Sequence, residues 1–318
     1  FMHGLQVVAT DGPDSVEFNE LPDPSGDALV IDVRAAGVGF PDLLMARGEH
    51  QIRQPVPFTL GWEAAGVVSS APEGSGFESG DEVVTLTLGS FAEKVAAVPE
   101  ATFLKPPGLT WEQAAAFPMN YLTALAGLQR RGRLEEGETV LVQGAAGGTG
   151  TAAIQVAKSL GARVFGVVSS DAKEAAARAA GADEVFRSDG PWKDEAIEAS
   201  GGGVDLVFDP VGGDRFTDSL RSLRSEGRVV VVGFTEGSIP EVKVNRLLMN
   251  NTDVSGCTWS VLATAPGGLG AAAEQLGRMV EAGGITPVVD REYPLREGAE
   301  ALTAIDERRV AGKGVLLA

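Results

Sequence analysis

The stretch Gly144-Ala-Ala-Gly-Gly-Thr-Gly150 places glycine or another small residue at nearly every position of a turn. Side chains this small let an extended anion lie against the backbone, and a helix starting just after them would offer free amide donors and positive potential. The turn does not end in the Lys-Ser/Thr pair of a nucleoside-triphosphate loop, and it is not a standard G-x-G-x-x-G either. The bland alternative is a tight turn with no ligand. About twenty residues on, where NAD-specific domains place an acid for the ribose hydroxyls, the chain reads VVSSDAK. Ser169, Ser170 and Lys173 offer hydroxyls and a cation, which suit a ribose 2′-phosphate that a carboxylate would repel. Asp171 is expected to cap the following helix and point outward, and NADP(H) is the expected dinucleotide.

These residues need elements to hold them. VLVQ precedes the turn and TAAIQVAKSLGA follows it, as a strand and a helix would. From Thr139 onward, TVLVQG, ARVFGVV, DEVF, VDLVFD, GRVVVVGF and DVSGCTW are apolar enough to be strands covered on both faces, as in a parallel sheet. Helical stretches separate them, DAKEAAARAAGA with its stop at Gly181 being the clearest. Six such strands describe a doubly wound dinucleotide-binding domain of the α/β class. Residues 1–118 are Gly- and Pro-rich with short β-like runs and read as a compact, mostly β domain. One short helix is expected at PDLLMARG, with Pro41 at its start, Asp42 on its dipole and Gly48 at its end.

The 318 residues carry 44 Asp and Glu against 26 Lys and Arg, a net charge of −18. That charge opposes binding to nucleic acid or to an anionic membrane, and it makes any local cluster of cations informative. No apolar run approaches membrane-spanning length and none resembles a signal peptide, so a cytoplasmic protein is expected. Cys257 is the only cysteine, which excludes a disulfide framework and a multi-thiolate zinc site.

The sequence resembles the medium-chain dehydrogenase/reductase superfamily, in its zinc-free quinone oxidoreductase (zeta-crystallin-like) branch. The resemblance covers nearly the whole chain and rests on AAGVGFPDLLMARG, PVPFTLGWEAAGVV, NYLTALAGL, QGAAGGTGTAAIQVAKSLGA, DPVGG, VVVVGF and RRVAGKGVLLA. It implies a GroES-like catalytic domain over 1–118 and 263–318, a Rossmann domain over 119–262, an active site between the two, and a homodimer, with DVSGCTW as a candidate pairing edge. Zinc-dependent members bind their metal through a Cys and a His that align with Gly39 and Trp62. Neither side chain offers a lone pair, and Glu63 alone is not a site, so no metal is expected. Without a Lewis acid, acceptors whose product anion is delocalised are favoured, namely quinones and conjugated carbonyls.

By motif alignment, Gly147, Gly148 and Thr149 lie along the pyrophosphate, and Arg187 and Arg309 join the 2′-phosphate residues. Thr123 and Phe234 are the nicotinamide-side contacts, with Cys257 and Trp259 nearby on the sixth strand. Sheet packing is the alternative for Phe234, Cys257 and Trp259. His50 stands where the family often has Tyr, and with His3 near the terminus it is the candidate imidazole for proton donation. Tyr121 is a further donor candidate, the alternative being a packed tyrosine. The function expected is NADPH-dependent hydride transfer to a quinone. A 2-alkenal or enone reductase, and a non-catalytic NADPH-binding protein, are the other two readings.

Overall fold

Thr139–Gln143 (β1), Arg163–Val168 (β2), Glu184–Arg187 (β3), Val204–Asp209 (β4), Leu223–Val231 (β5) and Asp253–Gly256 (β6) are the strands of one parallel sheet. Their spatial order, β3-β2-β1-β4-β5-β6, is the doubly wound arrangement. Val140, Leu141, Val142 and Gln143 of β1, and every residue of β4, are buried, which is why these strands show no regular apolar-polar alternation. Gly148–Ser159 (α1), Asp171–Ala179 (α2) and Trp192–Ser200 (α3) connect β1, β2 and β3 in turn to the next strand. The computed structural model describes residues 1–24 and 26–318.

The chain divides into two units, Phe1–Met119 with Pro287–Ala318, and Asn120–Thr286. In the first unit a seven-stranded sheet has Leu29–Val38 at its centre, paired with Glu63–Ser70, Lys94–Ala97 and the C-terminal strand Lys313–Leu317. A three-stranded sheet is built on Met2–Val7. Leu5, Ile31, Leu43, Leu60, Phe91 and Leu316 meet in a shared core, so the chain's last strand returns to the unit formed by its beginning.

The second crossing differs from the expected one at 263. The helix Gly268–Glu281 (α4) belongs with the nucleotide-type sheet, burying Ala272, Leu276 and Val280. Beyond it, Gln155 of α1 hydrogen-bonds both the Thr286 amide, at 3.0 Å, and the Thr286 carbonyl, at 2.9 Å. An amphipathic stripe shows that a helix has a core to cover and not which core, so the sequence left this helix with the wrong unit.

Candidate functional site

The turn between β1 and α1 is shaped by two of its glycines. Gly144 has φ +58°, and a Cβ there would come within 2.9 Å of Val211. At Gly150 a Cβ would lie 2.2 Å from the Gly144 carbonyl oxygen, so the helix can sit against the turn only if that position is bare. Gly147 is the N-cap in extended conformation, and a Cβ added to it meets only the Gly144 oxygen at 3.5 Å. The first helical amides, Gly148 to Gly150, have no carbonyl a turn earlier to bond. Thr149 donates its hydroxyl to Asn120 Oδ1 at 3.3 Å, and Thr151 N donates to the Gly147 carbonyl at 2.8 Å. The result is a bare backbone cradle with aligned amide donors, which fits a pyrophosphate.

At the end of β2, four of the expected residues converge. Ser170 is the N-cap of α2 and accepts from the Lys173 amide at 3.3 Å, while Lys173 Nζ donates to Ser169 Oγ at 3.4 Å. Arg187, on β3 directly opposite Val168, donates from Nη2 to the Ser169 carbonyl at 3.2 Å. Its buried Nε has no hydrogen-bond partner among the described residues. Asp171 does not cap the helix as expected: Ser170 holds that place, and the Asp171 carboxylate forms an ion pair with Arg187. Two cations and two hydroxyls around an unpartnered guanidinium donor fit a phosphate dianion and would leave a bare ribose diol poorly bound. Arg309 lies in the other unit, exposed and paired with Glu307 Oε2 at 2.5 Å.

Thr123 is half-buried on the helix Pro118–Leu125, which runs into a π-helical turn over Ala126–Arg131. Phe234 follows β5 and packs against Gly212, where a Cβ would come within 2.9 Å of its ring. Gly212 belongs to the DPVGG loop, and Asp209 organises that loop by accepting from the Val211 and Gly212 amides at 2.8 and 2.9 Å. Burial raises the Asp209 carboxyl above its ordinary range, and those two amides oppose the rise.

Cys257 and Trp259 lie beyond β6, not on it. The Cys257 amide still reaches the Val231 carbonyl at 2.9 Å, and Trp259 opens a 3-10 turn over Trp259–Thr264. Burial pushes the Cys257 thiol up to about 11, which makes it a packed thiol and not a nucleophile. Tyr121 is buried, its hydroxyl donating to Gln155 Oε1 at 2.6 Å, and burial moves its ionisation far up. That geometry gives Tyr121 a tethering role between its helix and α1.

In the first unit, His50 is half-buried and tilted against Trp62, ring centroids 5.8 Å apart. Its Nδ1 faces the Ile52 amide at 3.1 Å and the Ile52 carbonyl at 3.4 Å. The amide suits the tautomer protonated on Nε2, whose Nδ1 accepts, and the carbonyl suits a ring that carries a proton on Nδ1. Both contacts are made through Nδ1.

The positions aligned with zinc ligands form no donor set. Gly39 has no side chain, and Trp62 Nε1 donates to Met45 Sδ at 3.0 Å. Both oxygens of Glu63 are taken, one by Lys313 Nζ at 2.5 Å and the other by the Met119 amide at 2.8 Å. Among the described residues no group of three or more His, Cys, Asp or Glu side chains could hold a metal. The residues do not fit a zinc ion.

Beside this pair lies a group the sequence reading missed. Asp42 is buried, accepts from the Gly39 amide at 2.8 Å through Oδ2, and leaves Oδ1 without a partner. Burial raises its pKa to about 7, the Gly39 amide and Lys313 acting against the rise and Glu63 adding to it. A Cβ on Gly39 would sit 3.2 Å from Lys313 Nζ, so the bare residue makes room for the ammonium. The only sequence signal was an Asp in a first helical turn, which is ordinarily solvated.

Comparison with known proteins agrees with this architecture. Residues 25–108 match the model of the alcohol dehydrogenase GroES-like domain, and residues 148–290 match that of the zinc-binding dehydrogenase family. Quinone oxidoreductase-like protein 2 of Rattus norvegicus is 39% identical over 264 residues, covering 81% of this chain and 75% of that protein. A probable oxidoreductase from Mycobacterium abscessus superposes with a TM-score of 0.91 at 42% identity, over 100% of this chain and 99% of that one. A mycobacterial protein solved in complex with NADPH superposes with a TM-score of 0.92 at 30% identity, over 100% of both chains.

Proposed function

The chain belongs to the quinone oxidoreductase branch of the medium-chain dehydrogenase/reductase superfamily, and from that membership we propose that it reduces a quinone with NADPH and without a metal ion. The observation that carries the reading is the cluster of Ser169, Ser170, Lys173 and Arg187 where a NAD-specific domain would place an acid. The NADPH bound by one structural relative supports the same choice.

When bound, NADPH supplies a hydride. The balance is NADPH + H⁺ + quinone → NADP⁺ + quinol, so the protein has to hold two anionic groups, orient a ring and provide for one proton. The amides of Gly148 and Thr149, at the Gly147 cap, hold the pyrophosphate. Ser169, Ser170, Lys173 and Arg187 would hold the 2′-phosphate, and Thr123 and Phe234 would orient the nicotinamide. His50 is the proton donor: as an imidazolium it gives up the Nε2 proton, while Nδ1 keeps its own proton on the Ile52 carbonyl. A quinol anion spreads its charge over the ring and so needs less help than the localised alkoxide of a simple ketone, which a metal would stabilise.

The test is NADPH consumption with an aromatic quinone and a 2-alkenal side by side, in chelator, with NADH as control. Quinone-dependent oxidation that prefers NADPH is expected. Faster turnover of the alkenal would move the assignment to an activated-alkene reductase, and NADPH binding without any turnover would make the chain a binding protein. Lys173→Ala isolates the phosphate contact: at this half-exposed rim the affinity for NADPH should fall about tenfold and that for NADH should not change. Equal losses for both cofactors would remove Lys173 from the site.

A further inference from the structure

A cavity of about 300 Å³ lies in the first unit at the C-terminal end of the helix Phe40–Ala46. That volume is at the small end of ligand sites and accommodates one or two fused rings. Met45, Ile52 and Phe58 give it apolar walls, and its polar lining includes His50 and two guanidiniums, Arg47 and Arg53. No Asp or Glu lines it, although acids outnumber Lys and Arg by 44 to 26 in the chain. Arg47 is held by Asp306 Oδ1 at 2.5 Å and is partly neutralised. Arg53 has no ion pair among the described residues.

We propose that this cavity selects conjugated acceptors that carry an acidic group, a sulfonate, carboxylate or ionised hydroxyl, which Arg53 binds while the ring rests on Met45, Ile52 and Phe58. The inference rests on the quinone-reductase reading and adds to it the class of quinone. A chain of charge −18 repels anions at long range, so attraction to an anionic acceptor has to be local. An unpaired guanidinium beside an apolar wall provides it: its planar fork matches the two oxygens of a sulfonate or carboxylate, which a single ammonium does not. The lining also orders the two ends of the ligand, because His50 stands three residues from Arg53 on the same loop. An acceptor whose acidic group meets Arg53 is thereby held with its carbonyl end free to meet the imidazole.

Arg53 is exposed, so the contact is screened and its effect depends on salt. The experiment compares the 2-sulfonate and the 2-methyl derivatives of 1,4-naphthoquinone as acceptors for the wild-type enzyme and for Arg53→Gln. For the sulfonate, kcat/KM should fall about tenfold in the variant, mainly through KM, and the wild-type preference should shrink as salt rises. For the methyl compound the change should stay within about twofold. Calorimetric binding of naphthalene-2-sulfonate, which cannot be reduced, gives a readout that needs no turnover and should weaken by the same factor. Equal responses of the two quinones, or unchanged naphthalenesulfonate binding, would overturn the proposal. If neither quinone were reduced while naphthalenesulfonate binding still required Arg53, the anion site would stand and the quinone-reductase reading would fall.

Discussion

Asp42 shows how far a single residue can depart from what its neighbours in sequence suggest. Its position, two residues into a helix, is where an exposed acid would favour the dipole. Instead it is buried with Oδ1 unpartnered, close enough to Lys313 and Glu63 that both act on its ionisation. Its pKa in the folded chain is raised to about 7 from 3.8. Between those values the folded state keeps a proton that the unfolded chain has lost, so stability falls as pH rises through that window and is flat outside it. Three units at 1.36 kcal/mol each make the total on the order of 4 kcal/mol. Asp42→Asn keeps an acceptor for the Gly39 amide and removes the titration. Compared by thermal melting, the variant should gain on the wild type by several degrees between pH 5 and pH 8, and a constant difference would mean that Asp42 stays ionised throughout. None of this was legible in the sequence, because the Lys313 that acts on Asp42 arrives from the other end of the chain. The place of Ser169, Ser170 and Lys173 at a strand end was legible because strand ends in a doubly wound sheet fall at known intervals from the glycine turn.

At the scale of elements, the strands could be read because burial on both faces leaves consecutive apolar residues, Val140 to Val142 in β1 and Leu206 to Phe208 in β4. Assignments failed where an element's partner lies far off in sequence: α4 was attached to the wrong unit, and Cys257 and Trp259 were placed on a strand that ends at Gly256. The glycine turn was recognised, yet its glycines do different work. Gly150 is required for packing, since a Cβ would lie 2.2 Å from the Gly144 oxygen and 2.9 Å from Ala145. Gly147 is not, since a Cβ there makes only an ordinary 3.5 Å contact. Gly150→Ala should therefore cost about 1–3 kcal/mol of stability, read as a lower melting temperature with or without ligand. Gly147→Ala should leave the melting temperature of the free protein nearly unchanged and weaken NADPH binding, because the methyl group occupies the approach to the amides. A Gly147→Ala protein that binds NADPH normally would move the pyrophosphate away from this cradle.

For the whole molecule the open question is what covers the outer edge of the six-stranded sheet. β6 has a neighbour on one side only, and Val254 on it is partly exposed. Arg131 Nε donates to the Gly256 carbonyl at 3.0 Å and Arg133 pairs with Asp253 at 2.9 Å, so the two ends of this strand are already engaged and pairing through the strand alone would be short. Just before it in the chain, Val244, Leu248 and Met249 are each about three-quarters exposed, as is Ile239. Four large apolar side chains so close in sequence and so open to water, in a chain this acidic, are an association surface more readily than a solvated one. A second copy is the occupant we expect, because a two-fold interface counts every buried side chain twice. At roughly 2 kcal/mol for each of Leu248 and Met249, both copies together would contribute about 8 kcal/mol. Leu248→Ser with Met249→Ser removes that area without adding charge. Light scattering on the eluting protein should give twice the chain mass for the wild type and a single chain mass for the double variant, with melting of the separated chain little changed. A wild-type protein of single-chain mass would assign the patch to a different partner, and a double variant that stays dimeric would move the interface off these side chains.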